Sequence, residues 1–167
     1  LHPTDDWYTN SKTTYPGTDN HHLMFPTLYH HFDDTSEIRM FSSPDGMVWS
    51  EVPGGPVLSH GMPGDWDGGC IFGGLDLIQL PGNRIALPYS GYLYPHKFPR
   101  NNVTMKSKVA YAYWPDGRLG ALEAEEAGNF TTLPLMVNGR ELSLNLQTKH
   151  AGHVLVEVTD RSGRPLP

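Results

Sequence analysis

Apolar and polar residues alternate along Glu37-Ile38-Arg39-Met40-Phe41 and again along Val109-Ala110-Tyr111-Ala112-Tyr113. A period of two puts alternate side chains on opposite faces of an extended chain, the signature of a half-buried strand. Other short apolar runs are bounded by Gly, Pro, Asn and Asp, and 119–127 is the only stretch that competes as a helix. The pattern predicts strands over 7–13, 23–30, 37–42 and 47–52, then over 70–80, 84–92, 108–114 and 118–123. A further alternating texture begins after Glu126. There Leu142-Ser143-Leu144-Asn145-Leu146 and Val154-Leu155-Val156-Glu157-Val158 are set off by Asn138-Gly139 and Ala151-Gly152, dipeptides suited to hairpins.

The eight predicted strands fall into two copies of one plan. Asp6-Trp7-Tyr8-Thr9 is matched 61 residues later by Asp67-Gly68-Gly69-Cys70, and Pro16-Gly17 is matched 65 later by Pro81-Gly82. The Pro-containing strand beginning Leu23-Met24-Phe25-Pro26 returns 62 later as Ile85-Ala86-Leu87-Pro88. Ser43-Pro44-Asp45-Gly46 returns 71 later as Trp114-Pro115-Asp116-Gly117, the larger offset reflecting a longer loop from Tyr94 to Lys106. Four-stranded antiparallel units repeated at about 60–70 residues are expected of β-propeller blades; WD40 and kelch blades are shorter, roughly 40–50. The fold class read here is all-β: a blade over 1–59, a second over 60–126, and the start of a β-sandwich over 127–167. Two blades do not close a ring, since propellers typically have about 4–8. The remaining blades are expected from the same or another chain.

Composition narrows the partners. Eighteen Gly and fifteen Pro are dispersed between apolar runs with no low-complexity tract and read as turn punctuation, while 11% aromatics supply burial. The 167 residues carry a net charge of −6 with no Lys/Arg cluster, which disfavours nucleic acid and anionic membrane surfaces. No run approaches the roughly 18 apolar residues of a membrane span. Cys70 is the single cysteine, so no intrachain disulfide forms, and it is expected to pack on an inner strand. Asn102-Val103-Thr104 and Asn129-Phe130-Thr131 are glycosylation sequons. A chain that starts at Leu1 and ends in mid-module is expected to be a fragment or a processed product.

The DWYT segment, Tyr15-Pro16-Gly17 running into His22-Leu23-Met24-Phe25-Pro26, and the Ser43–Gly46 hairpin with Trp49 resemble the five-bladed propeller superfamily of glycoside hydrolase families 32 and 43. Phe130-Thr131-Thr132-Leu133-Pro134-Leu135 and the strand around Val156 look like the sandwich that follows such propellers. The resemblance implies glycan hydrolysis in a secreted or periplasmic enzyme, by carboxylates near the starts of innermost strands, with carbohydrate as substrate and no cofactor or metal. An oxocarbenium-like transition state needs an anion on one face and a proton donor on the leaving oxygen. The Asn-Asp-Pro-Asn-like, Arg-Asp-Pro and Glu-Cys signatures of family 32 do not occur in the chain. The alternative is therefore a non-catalytic module that binds carbohydrate or protein.

Asp67 and Asp6, at equivalent strand entries, are the catalytic candidates, each also able to cap a turn. Trp66, Asp65, His60, Trp7 and Tyr92 are the substrate-binding candidates, because sugar rings stack on aromatic faces while carboxylates accept their hydroxyls. Tyr89, Tyr92 and Tyr94 could line a sugar cleft, though strand tyrosines more often serve core and rim packing. His21-His22 and His30-His31 each offer one ring per face of a strand, so hydrogen-bonded histidines are expected rather than a metal centre. In the superfamily the Ser-Pro-Asp-Gly hairpin is structural, and no chemistry is assigned to Asp45 or Asp116.

Overall fold

The computed structural model describes residues 2–98, 106–136 and 138–166. All regular structure among them is β-strand, and no helix is long and apolar enough to cross a membrane. The chain divides into two compact units, Leu1–Leu119 and Gly120–Pro167.

In the first unit the chain begins with four antiparallel passes, each interrupted midway. They comprise β1 (Asp5–Trp7) and β2 (Lys12–Thr14), β3 (His22–Met24) and β4 (Thr27–His30), β5 (Thr35–Ile38) and β6 (Phe41–Ser43), then β7 (Ser50–Glu51) and β8 (Leu58–Ser59). The halves assemble into two four-stranded sheets, ordered β1-β4-β5-β8 and β2-β3-β6-β7. The first three passes overlap the strands expected from the pattern, each broken into two; the fourth, expected over 47–52, forms strand only at Ser50–Glu51 and again at Leu58–Ser59. Pro26 lacks the N–H a continuous ladder needs, Ser11 adopts a positive φ of 44°, and Gly54 and Gly55 turn the fourth pass at φ 119° and 89°. Across the interruption, Phe25 N–H donates to Ser11 O (3.2 Å), Arg39 N–H to Pro26 O (3.0 Å) and Val52 N–H to Met40 O (2.8 Å). Neighbouring passes therefore stay tied while each changes sheet.

The second copy repeats the device around one long strand. β11 (Arg84–Tyr92) pairs along its whole length with β12 (Ser107–Pro115), and on its other side with both β9 (Cys70–Gly73) and β10 (Ile78–Leu80). Gly74 N–H donates to Pro88 O at 2.8 Å. A residue in an antiparallel strand turns its N–H and C=O toward the same neighbour, so the donor that Pro88 lacks would have faced the gap between β9 and β10. The expected fourth strand over 118–123 does not form. Its Arg-Leu-Gly-Ala-Leu-Glu sequence holds no β-branched or aromatic residue, and among the described residues β12 ends the sheet.

One core serves both copies: Phe25 and Ile38 from the first pack with Ile71, Leu77, Leu87 and Tyr89 from the second. Hydroxyls of the first copy satisfy backbone groups of the second. Buried Ser36 Oγ donates to Ile71 O (2.6 Å) and accepts from Ile71 N–H (2.9 Å), and Thr13 Oγ1 accepts from Leu77 N–H (3.2 Å). A buried N–H left unpaired costs on the order of 1–3 kcal/mol, so these contacts fix how β9 lies beside β5. Cys70 is buried at the head of β9.

In the unit Gly120–Pro167 the described residues form no strand, and one isolated bridge joins Thr159 to Pro165. The bridge closes over a turn in which Asp160 Oδ1 accepts from Ser162 N–H (2.8 Å) and Arg164 N–H (3.0 Å). The segments expected as sandwich strands, 142–146 and 154–158, keep Leu142, Leu144, Val154 and Val156 exposed. A strand with one apolar face needs an opposing surface to bury it, and the described residues of this unit leave those side chains exposed. The sequon Asn102-Val103-Thr104 lies outside the described residues, and Asn129 is exposed.

Candidate functional site

Asp67 sits on a ten-residue loop, 60–69, that folds back against β11. Asp65 closes its turn: Asp65 Oδ2 accepts from Met62 N–H (2.9 Å), Asp65 N–H donates to Met62 O (2.9 Å) and Gly68 N–H to Asp65 O (3.1 Å). The loop fits only because glycine occupies the close approaches. A Cβ at Gly69 would lie 2.0 Å from the Tyr94 backbone, and one at Gly91 would lie 2.5 Å from Asp67 Cβ and 2.6 Å from the Trp66 ring. Both distances are well inside van der Waals contact, so the sequence at these positions is dictated by packing.

So held, Asp67 Oδ2 accepts the Tyr89 hydroxyl at 3.0 Å. Burial, reinforced by Asp67, pushes the Tyr89 phenol up to about 12, which keeps it a neutral donor at ordinary pH. Trp66 lies half-buried with its ring 5.6 Å from Tyr89, and the Lys108 ammonium stands 5.9 Å from the indole. His60 Nδ1 donates to Gly61 O at 2.8 Å. Asp67, Trp66, Asp65 and His60 thus belong to one loop, with Asp65 spent on its turn.

Asp6 belongs to a different cluster. It stands on β1 opposite Tyr29 and accepts from His31 Nε2 at 2.6 Å, with its own side chain 63% exposed. Its neighbour Asp5 pairs with His30 at 3.1 Å, so the two adjacent histidines take separate carboxylates. Asp5 is held below the usual carboxylate range, chiefly by the His2 N–H. Among the described residues no three His, Cys, Asp or Glu side chains converge as a metal-binding group.

Trp7 packs edge-on against Phe41 with centroids 5.1 Å apart. Together with Tyr8, Thr9, Asn10, Ser11, Gly73 and Leu75 it lines an open groove of about 560 Å³. Tyr8 turns the other way, into a box of rings: His96 lies 5.1 Å from Tyr8, 5.5 Å from Tyr29 and 5.3 Å from Phe72, and its Nε2 is 3.0 Å from the Tyr8 hydroxyl. Tyr92 joins this group edge-on to Phe72 at 5.9 Å. The Tyr29 hydroxyl donates to the Asp34 carboxylate; burial, then that carboxylate, raises the Tyr29 phenol.

Tyr8, Phe72 and His96 are absent from the sequence-derived candidates. The available signal was the extra loop length after Tyr94, which carries His96 into the first copy and lets its backbone N–H reach Asp34 O at 2.9 Å. Among known proteins, no family model, no curated protein and no solved structure matches the chain.

Proposed function

We propose that this chain is part of a glycan-hydrolysing β-propeller enzyme, secreted or periplasmic, in which Asp67 is a working carboxylate and Asp6 its counterpart from the first blade. The observation that carries the reading is the setting of Asp67. A loop that admits no side chain at Gly69 or Gly91 holds the carboxylate on the Tyr89 hydroxyl, beside an indole. Such rigidity suits a group that must meet a reacting atom within a few tenths of an ångström. A carboxylate already receiving a phenol hydroxyl fits the acceptor role, facing the positive charge that develops on the sugar ring, while a second carboxylic acid protonates the leaving oxygen. The interrupted four-pass meander supports the blade reading, and further blades complete the funnel.

Turnover of a panel of aryl glycosides tests this reading. Asp67→Asn is expected to lower kcat by about 10²–10⁴-fold with oligosaccharide binding retained. Wild-type protein that binds glycans but turns none over would sink the hydrolase reading. The groove favours a second reading, a non-catalytic carbohydrate-binding module, because the Trp7 ring that lines it is 41% exposed. In that case Trp7→Ala abolishes glycan binding by calorimetry and Asp67→Asn leaves it unchanged.

A further inference from the structure

The outer edge of β12 pairs with no strand among the described residues, and the ladder on its inner side identifies the groups left over. Pro88 O accepts from Gly74, on the β9/β10 side of β11, so Pro88 turns away from β12 and its partner Tyr111 turns away from β11. The flanking bonds agree: Leu93 N–H donates to Lys106 O (3.2 Å) and Asp116 N–H to Asn83 O (2.9 Å). Even-numbered residues of this stretch therefore bond to β11, and Val109, Tyr111 and Tyr113 direct their N–H and C=O outward. Their side chains are 74%, 53% and 59% exposed. Natural edges are usually blunted by a central charge, proline or bulge, and Val109-Ala110-Tyr111-Ala112-Tyr113 has no charge or proline and runs in unbroken register.

We propose that β12 pairs antiparallel with β12 of a second copy of this chain, about a two-fold axis through Tyr111. The edge is complementary to itself in that register. Each outward-facing residue meets another, Val109 opposite Tyr113 and Tyr111 opposite its own counterpart, so every unpaired N–H finds a C=O. The intervening positions match as well: Ala110 faces Ala112, Lys108 faces the Trp114 indole, and Lys106 faces Asp116 at each end. Moving the axis to Tyr113 would instead set Lys108 opposite Arg118, two like charges. A parallel pairing would stack each lysine on its counterpart. Charge and side-chain size thus select a second copy over an arbitrary peptide. The proposal holds whether or not the chain acts on glycans.

Sedimentation velocity on the intact protein over rising concentration tests it, with hydrogen exchange read at Val109, Tyr111 and Tyr113. The expected result is a dimer in which these amides exchange more slowly than at low concentration. Tyr111→Lys places two ammonium groups on the axis and weakens association by about tenfold or more, while Tyr111→Phe dimerises normally. Val109→Lys, opposite Tyr113, supplies an independent disrupting change at a residue that is 74% exposed in the monomer. A protein that stays monomeric with its strands intact overturns the proposal. So does a dimer indifferent to both lysine substitutions, or an edge protected only when a different polypeptide is added.

Discussion

The hairpin at Ser43-Pro44-Asp45-Gly46 and its repeat at Trp114-Pro115-Asp116-Gly117 share three residues of four, and they bond differently. In the first, Asp45 Oδ1 accepts from Met47 N–H (2.8 Å) and Val48 N–H (2.9 Å), and Ser43 Oγ accepts from Gly46 N–H (2.8 Å). Everything the turn needs lies within the six residues from Ser43 to Val48. In the second, Trp114 stands where Ser43 would be. The Tyr15 hydroxyl donates to Asp116 Oδ1 at 2.5 Å, and the same hydroxyl oxygen accepts from Gly117 N–H at 2.7 Å. Tyr15 comes from the first copy, about a hundred residues away in sequence. One turn is self-sufficient and the other is a clasp between copies. The difference runs through the whole pair: the first copy completes four passes, whereas the second stops at three and leaves β12 open.

If the two copies form one cooperative body, damage to the shared core should unfold both. Phe25→Ala empties a fully buried site that touches residues of both copies and is expected to cost about 3–5 kcal/mol. Urea unfolding followed by tryptophan fluorescence should give one transition, shifted as a whole. Two separate transitions would break the comparison as drawn.

The clasp predicts a smaller effect. Tyr15→Phe removes the bridge to Asp116 and leaves Gly117 N–H without its acceptor, for a loss of about 1–2 kcal/mol in the same assay. Amide exchange should rise at Gly117 and stay unchanged at Met47 and Val48. Faster exchange in both hairpins would show that the turns are not independent.

Smallest, and opposite in sign along the pH axis, are two titrations. N–H donors at Val48 and Met47 hold the Asp45 carboxyl below its usual range. The stability this contributes is present above the ordinary carboxylate pKa and is lost as pH falls through the depressed folded value. Tyr89 is the reverse case. Burial and Asp67 raise it from near 10 to about 12, so its contribution is present below 10 and is lost as pH rises through about 12. Asp45→Asn should flatten the acid limb of a stability–pH curve and Tyr89→Phe the alkaline limb. A crossed result would refute both assignments.

Much of the strand layout was legible because its causes are local. Period-two patterning, Asp-Gly turns and the repeated Pro strand act over a few residues, and three passes of the first copy overlap the places the pattern gives them, while half of the fourth, at Leu58–Ser59, lies beyond the expected 47–52. The same prolines also account for what the pattern missed. Pro26 and Pro88 interrupt pairing on one side only, which divides the passes of the first copy and splits β9 from β10 while β11 runs on. The segments 142–146 and 154–158 show the limit of alternation: it marks a chain suited to pairing and supplies no partner.

By itself the sequence determined an all-β chain and its turns, and it singled out Asp6 and Asp67 as candidates. Tertiary structure alone decided what each aspartate meets. Asp67 reaches Tyr89 because glycines at 69 and 91 let the loop close on β11, and Asp6 reaches His31 because β1 pairs with β4. The Tyr8–His96 contact and the Tyr15–Asp116 clasp join residues 88 and 101 positions apart. Contacts at that range depend on how loops close and where the shared core forms, so equivalent positions in a repeat end in different chemical company.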